Sequence, residues 1–267
     1  MAHRSSKIFF HLGLPKTAST FLQLEIFPQL HELEYYKKHH FKKYKTLLPS
    51  EGKSYLFTSE KDNGLIEEFD NIKTLFPDNS YVILAFRPHY KWLVSKYKNH
   101  IRKFGHIRFN DFFSVDNPSH FEMAPDYYSR IADRCIEKFG DRVLLLNFEE
   151  LKTSPDIFLR KIYQFLGLGD EEIRYSNRVV KKAFSNRQVK ILRAFNNIHR
   201  YKQYHSKLKP IKFIHYKYHH FMVHIVAFFA RFIPVRTNDF ENELKQNQSK
   251  IENHFRADWE NMLTKFS

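Results

Sequence analysis

The stretch that most constrains this chain is Ile8 to Leu22, IFFHLGLPKTASTFL. An apolar run (Ile8, Phe9, Phe10, Leu12) ends in Gly13 and Pro15, a Lys-Thr-Ala-Ser-Thr run follows, and apolar residues then recur at helical spacing through Phe27. Strand, tight turn and helix start is the arrangement that offers free backbone N–H groups to an anion. Lys16 adds a positive charge, and Thr17, Ser19 and Thr20 add hydroxyls, so the stretch reads as a phosphate cradle. An ordinary strand–helix turn would need only one capping hydroxyl. It is not a Walker A loop, because only Leu14 and Pro15 separate Gly13 from Lys16.

Two further apolar runs behave alike. Tyr81–Phe86, YVILAF, is apolar throughout, as a central strand of a parallel sheet is, and it delivers Arg87 and Pro88 at its carboxyl end. Ser54–Ser59, SYLFTS, is a shorter strand that delivers Glu60 and Lys61. Ligands of open parallel sheets gather outside the carboxyl ends of the strands, so Glu60 and Arg87 are expected on the side of the cradle. Pro88 opens a helix carrying Ser95. An Arg at a strand end and a Ser on the next helix suit a terminal phosphate, held by bidentate pairing; a structural Arg–carboxylate pair is the other use of such an Arg. Val143–Phe148 forms a last strand, followed by a helix that Pro155 starts and Gly167 caps.

These segments together resemble the sulfotransferases that use 3′-phosphoadenosine 5′-phosphosulfate (PAPS). GLPKTAST is similar to their 5′-phosphosulfate loop. ILAFRPHYKWLVSKY is similar to their second signature, an Arg and a Ser eight residues apart, here Arg87 and Ser95. VLLLNFEELKTSPDIFLRKIYQFLGL is similar to their later strand, Glu-Glu-Leu turn and helix. The resemblance spans residues 7–170 and is strongest to bacterial enzymes acting on carbohydrates. It implies an α/β fold, a P-loop-like parallel sheet flanked by helices, with PAPS as co-substrate and no metal. By the same resemblance Pro15, Lys16, Thr17, Ala18, Ser19 and Thr20 would hold the 5′-phosphate, and Arg87 and Ser95 the 3′-phosphate. Lys16 would stabilise the leaving phosphate oxygen. Phe184–Asn196 is similar to a helix placed over the nucleotide, although Lys181 and Ala183 stand where Asn and Ser are expected.

A base must deprotonate the acceptor. Glu60, a carboxylate at a strand end facing the cradle, is the first candidate, and His11 the second. Glu60 could equally pair with Arg87 or Lys16, His11 could be a packed strand histidine, and Lys61 could assist at the sulfuryl group. The implied acceptor is a hydroxyl or amine of a polysaccharide or glycolipid.

The net charge of +15 is confined to the C-terminal third. Between Glu172 and Asp239 there are 15 Lys or Arg and no acidic residue; outside it the two signs balance. Such a field suits a polyanion, a membrane surface or nucleic acid. A nucleic-acid-binding protein would leave Lys16, Arg87 and Ser95 without a task. A nucleotide kinase would require the missing Walker A loop and a magnesium carboxylate. Between Pro210 and Pro234, Ile214, Tyr218, Phe221, Ile225, Phe228 and Phe232 recur on one helical face, with Lys217, His220, His224 and Arg231 on another. The aromatic face is expected to dock on the core or on a second subunit in a homodimer, with a membrane surface as the alternative for residues 211–233. His219, His220 and His224 lack a further metal ligand.

With one cysteine, Cys135, the chain forms no internal disulfide. Its N-terminal apolar run is too short for a signal peptide, and no 18-residue apolar stretch is present, so the cytoplasm is the expected compartment. One domain is expected over 1–267: a PAPS-binding core at 1–170 and a helical basic region at 171–267.

Overall fold

A strand buried on both faces cannot alternate apolar with polar, and Ile8–Gly13 does not: all six residues are buried. The computed structural model describes residues 6–61, 63–169, 183–199 and 209–266. In chain order the elements are β1 (Ile8–Gly13), α1 (Ser19–Phe21), β2 (Leu33–Tyr36), β3 (Ser54–Glu60), α2 (Leu65–Leu75), β4 (Ser80–Phe86), α3 (His89–Arg102), α4 (Phe109–Phe112), α5 (Tyr127–Phe139) and β5 (Val143–Asn147). Then follow α6 (Glu150–Thr153), α7 (Pro155–Leu166), α8 (Asn186–His199), α9 (Lys209–Phe229), α10 (Asn238–His254) and α11 (Arg256–Leu263).

The chain forms two compact units. The first comprises Met1–Pro88, Pro125–Lys181 and Phe255–Ser267, and the second His89–Ala124 and Lys182–His254. α3 and α4 fall in the second unit with α8, α9 and α10, and α11 falls in the first with the sheet.

In the first unit five parallel strands lie in the order β2-β3-β1-β4-β5. The expected α/β class is the one seen. Alternate residues of β1 feed separate cores. Ile8, Phe10 and Leu12 pack with α2 and α5, through Phe69, Ile72 and Cys135. Phe9 packs on the other face with Leu22, Phe27 and, from α7, Phe158 and Ile162. α11 is tied back by Asp258, a buried carboxylate that accepts the N–H groups of Tyr128 (3.0 Å) and Ser129 (2.8 Å) at the start of α5. It thereby satisfies donors that the helix itself leaves open.

Two elements depart from expectation. The helix after the cradle is α-helical only over Ser19–Phe21, then π over Leu22–Ile26 and 3-10 over Phe27–Gln29. The run Lys37–Lys45, KKHHFKKYK, has the composition of a solvated surface segment, yet it winds into a 3-10 helix, Lys38–Thr46, that buries Phe41 and Tyr44 against β1 and β3. Pro155 begins α7, and Gly167 ends it at φ 72°, a left-handed conformation natural to glycine.

In the second unit α3 packs with α8 and α10. Asn196 Nδ2 donates to the carbonyls of Ile101 and Gly105, both at 2.8 Å, and Tyr97 sits among Phe109, Phe112 and Phe240. α9 lies on α8 by its small residues. Val223, Ala227 and Ala230 are buried, whereas Ile214, Tyr218, Phe221, Phe228 and Phe232 are exposed. The expected docking of the aromatic face on the core is therefore overturned, because Ala and Val allow the closer helix–helix approach.

Candidate active site at the sheet edge

Parallel pairing brings four loops to one edge. Gly13 pairs in register with Glu60 of β3, and β4, on the other side of β1, ends at Phe86 opposite Asn147 of β5. The loop after Gly13, Glu60, Arg87 and Glu149 thus leave the carboxyl ends of four adjacent strands. Later strands lie on the opposite side of β1 from β2 and β3, so the edge is also where the strand order reverses, the usual ligand position in open α/β sheets.

The loop itself is unusual. Lys16 and Ala18 adopt φ 75° and φ 70°, left-handed values, and Thr17 between them does not. Successive residues of opposite handedness cup their N–H groups into an anion-binding concavity. Left-handed backbone costs an L-residue about 1–2 kcal/mol, so two such residues in three mark a strained loop. Thr17 is buried, and its hydroxyl donates to the Leu14 carbonyl at 2.6 Å. Its proton therefore serves the loop rather than a ligand. Pro15, Lys16, Ala18 and Thr20 are half-buried at the surface of the loop.

Gly13 is required by close approach. A Cβ there would overlap Ser19 Oγ and lie 3.3 Å from His11 Cε1. Ser19 Oγ and His11 Nε2 are buried, and among the described residues neither has a hydrogen-bond partner. His11 is wholly buried in β1, its ring 5.3 Å from that of Phe27. Gln23 Nε2 donates to Thr58 Oγ1 (2.9 Å), and the same hydroxyl shares a hydrogen bond of 2.9 Å with His11 Nδ1. Burial pushes the His11 pKa down to about 4, so the ring is neutral at physiological pH. The structure places it beneath the loop as a packed strand histidine.

Glu60, half-buried, forms an ion pair with Lys38 (3.0 Å), not with Lys16 or Arg87. Lys61 is drawn away to the buried carboxylate of Glu68, which also receives the Tyr44 hydroxyl; burial lowers the Lys61 pKa. Arg87 Nε lies 3.5 Å from Glu149 Oε1, and its guanidinium rests 4.9 Å from the centre of the Phe148 ring. Burial lowers the Arg87 pKa, while Glu149 and the Tyr128 hydroxyl act in the opposite direction; the group stays charged. Ser95 is half-buried on α3, in the second unit.

Among the described residues, Lys38 and Glu149 are site neighbours that sequence reasoning missed. The signal for Lys38 was its place in a basic run; Glu149 stood in the Glu-Glu-Leu turn with no role attached. Arg187, at the start of α8, donates to the Arg231 carbonyl at 3.1 Å, and Lys181 lies outside the described residues. Among the described residues no three His, Cys, Asp or Glu are grouped so as to hold a metal ion.

Among solved structures the chain is similar to a sulfotransferase from Alicyclobacillus acidocaldarius, at 16% identity over 70% of this chain and 91% of that one, with a TM-score of 0.46. It is similar to a mouse sulfotransferase complexed with PAP, at 16% identity over 62% and 61% of the two chains, TM-score 0.42. A sulfotransferase domain from the curacin biosynthetic pathway matches at 14% identity over 63% and 76%, TM-score 0.39. No curated protein matches the chain in sequence. The family model described as "Sulfotransferase family" matches residues 25–172, a span that holds Glu60, Arg87, Ser95 and Glu149 and more than half of the chain. On that match, the chain belongs to the sulfotransferase family.

Proposed function

We propose that this sulfotransferase moves the sulfuryl group of PAPS to a hydroxyl or amine of a carbohydrate acceptor, a polysaccharide or glycolipid. The observation that carries the reading is the single sheet edge from which the left-handed loop of Lys16 and Ala18, Glu60 and Arg87 all emerge. Sulfuryl transfer needs an aligned acceptor oxygen or nitrogen and stabilisation of charge on the leaving phosphate oxygen, so positioning and electrostatics do most of the work.

The loop N–H groups from Thr17 to Thr20, with the Ser19 and Thr20 hydroxyls, hold the 5′-phosphate. The buried, unpartnered Ser19 Oγ fits that task, since a bound phosphate would supply the acceptor it lacks. Lys16 stabilises the oxygen that becomes anionic as the sulfur–oxygen bond breaks. Arg87 and, by resemblance alone, Ser95 hold the 3′-phosphate, the group that separates PAPS from ATP. Glu60 accepts the acceptor's proton, oriented by Lys38. His11, buried and neutral, supports the loop from below. The carbohydrate acceptor rests on the resemblance to bacterial glycan enzymes and on the basic C-terminal third.

Isothermal titration with 3′-phosphoadenosine 5′-phosphate (PAP) in the absence of magnesium, with ATP as comparison, tests the nucleotide half. Tight metal-independent binding that weakens about 10- to 150-fold in Arg87→Ala is expected; preference for ATP with magnesium would overturn it. Radiolabelled PAPS offered with polysaccharide, glycolipid and phenol acceptors tests the other half, and transfer to phenol alone would reject the carbohydrate reading.

A further inference from the structure

A helix on a protein surface normally turns its large apolar residues inward. α9 does the reverse. Its buried stripe is Val223 and Ala227, continued by Ala230 just past the helix, and Gln188 Nε2 of α8 donates to the Ala227 carbonyl at 2.8 Å. At 100° per residue the opposite side carries Ile214, Tyr218, Phe221 and Phe228, which are 66%, 58%, 63% and 51% exposed. Phe232, just past the helix, is 71% exposed and continues the row. From Ile214 to Phe228 this apolar stripe runs about 21 Å. Scattered surface aromatics need no explanation, but a continuous row of them does.

The charges beside the row select what covers it. Lys217 and Arg231 are exposed, one near each end, and each cation lies by a ring of its own helix: Lys217 Nζ 5.2 Å from the Phe213 centroid, Arg231 Cζ 5.9 Å from that of Phe228. No acidic residue occurs between Glu172 and Asp239. A second copy of the chain, meeting this face across a two-fold axis, would set these cations against their own equivalents with no carboxylate from α9 to offset them. No described helix is long and apolar enough to cross a membrane, so insertion across a bilayer is not the use of the row. A surface that accepts an apolar stripe about 5–10 Å deep and offers negative charge at its rim fits both features.

We propose that α9 and the Phe232 turn bind the surface of a bilayer containing anionic lipid. The helix lies in the interface plane, its aromatic row in the acyl boundary and Lys217 and Arg231 at the headgroup phosphates. This inference stands on the second unit alone and does not depend on the nucleotide or acceptor reading.

The test is flotation of the full chain with phosphatidylglycerol–phosphatidylcholine vesicles, against vesicles of phosphatidylcholine alone. Binding to the anionic vesicles is expected, about tenfold or more weaker on the neutral ones. The double variant Phe221→Ser/Phe228→Ser and, separately, Lys217→Glu/Arg231→Glu should each lose about tenfold or more in affinity. All four side chains are exposed, so both variants should keep the parent's circular dichroism and melting temperature; if the aromatic pair does not, the charge-reversal pair decides. Absence of flotation with anionic vesicles, or flotation that the folded variants retain, overturns the proposal. So does a dimer in sedimentation that Phe221→Ser/Phe228→Ser dissociates, since the face would then belong to a second copy.

Discussion

Arg87 and Glu149 meet at the carboxyl edge of the sheet, Nε 3.5 Å from Oε1, with the guanidinium resting on Phe148. The separation exceeds a hydrogen bond, so Glu149 steers Arg87 without consuming its donors in a tight fork. A phosphate that meets the guanidinium would gain a charge-assisted contact of about 1.5–3 kcal/mol. Arg87→Ala should therefore weaken PAP binding by about 10- to 150-fold in isothermal titration. Arg87→Lys should recover little, because an ammonium keeps the charge but loses the planar fork and the ring contact.

The loop supports two opposite stability effects one turn apart. Gly13→Ala would drive a methyl into Ser19 Oγ and against His11. Overpacking of this kind costs about 1–3 kcal/mol, and here it also displaces the loop, so a lower melting temperature and loss of PAP binding are expected together. Ala18→Gly should do the reverse. Relief of the left-handed φ of 70° is worth about 1–2 kcal/mol, and the added freedom of the unfolded chain takes back about 0.5–1 kcal/mol. A net gain of about 0.5–1 kcal/mol in chemical denaturation is the expected result.

Four strands were legible because each is an apolar run buried on both faces: β1, β3, β4 and β5. β2, Leu-Glu-Tyr-Tyr, was not, since an edge strand paired only with β3 needs few apolar residues. Charge hid the 3-10 helix Lys38–Thr46, whose buried Phe41 and Tyr44 are only two of nine residues. The facing of α9 was misread because its buried stripe is Val and Ala, a weaker signal than a row of Phe. No linker marks the passage between units, which occurs where β4 runs through Pro88 into α3. At the site, strand ends told where Lys16, Glu60 and Arg87 would emerge. Their partners Lys38 and Glu149 come from segments 22 and 62 residues away along the chain, a tertiary fact that local pattern does not carry.

His11 makes stability depend on acid. Burial lowers its folded pKa from 6.5 to about 4, so between those values the unfolded chain binds a proton that the folded chain refuses. The contribution is fully present above pH 6.5 and is lost as pH falls toward 4, amounting to about 2 kcal/mol between pH 7 and pH 5. His100, also lowered to about 4 by burial and by His120 and His106, adds a loss of the same sign in the second unit. Denaturant titrations at the two pH values should show His11→Gln narrowing the difference by about 2 kcal/mol and leaving the His100 share in place.

The proposed role of Glu60 as base separates binding from chemistry. Glu60 sits level with Gly13 at the sheet edge, and its carboxylate is held by Lys38 at 3.0 Å rather than by any group assigned to the nucleotide. Removing a general base costs about 10²–10⁴ in rate. Glu60→Gln should therefore lower kcat by about that factor, while PAP affinity changes less than about threefold. Lys38→Ala, which frees the carboxylate to rotate but leaves it in place, should give a smaller fall in kcat of about tenfold. If Glu60→Gln instead lost nucleotide binding and stability in step with kcat, the carboxylate would be a structural partner of Lys38, and the base would have to be sought on another element of the edge.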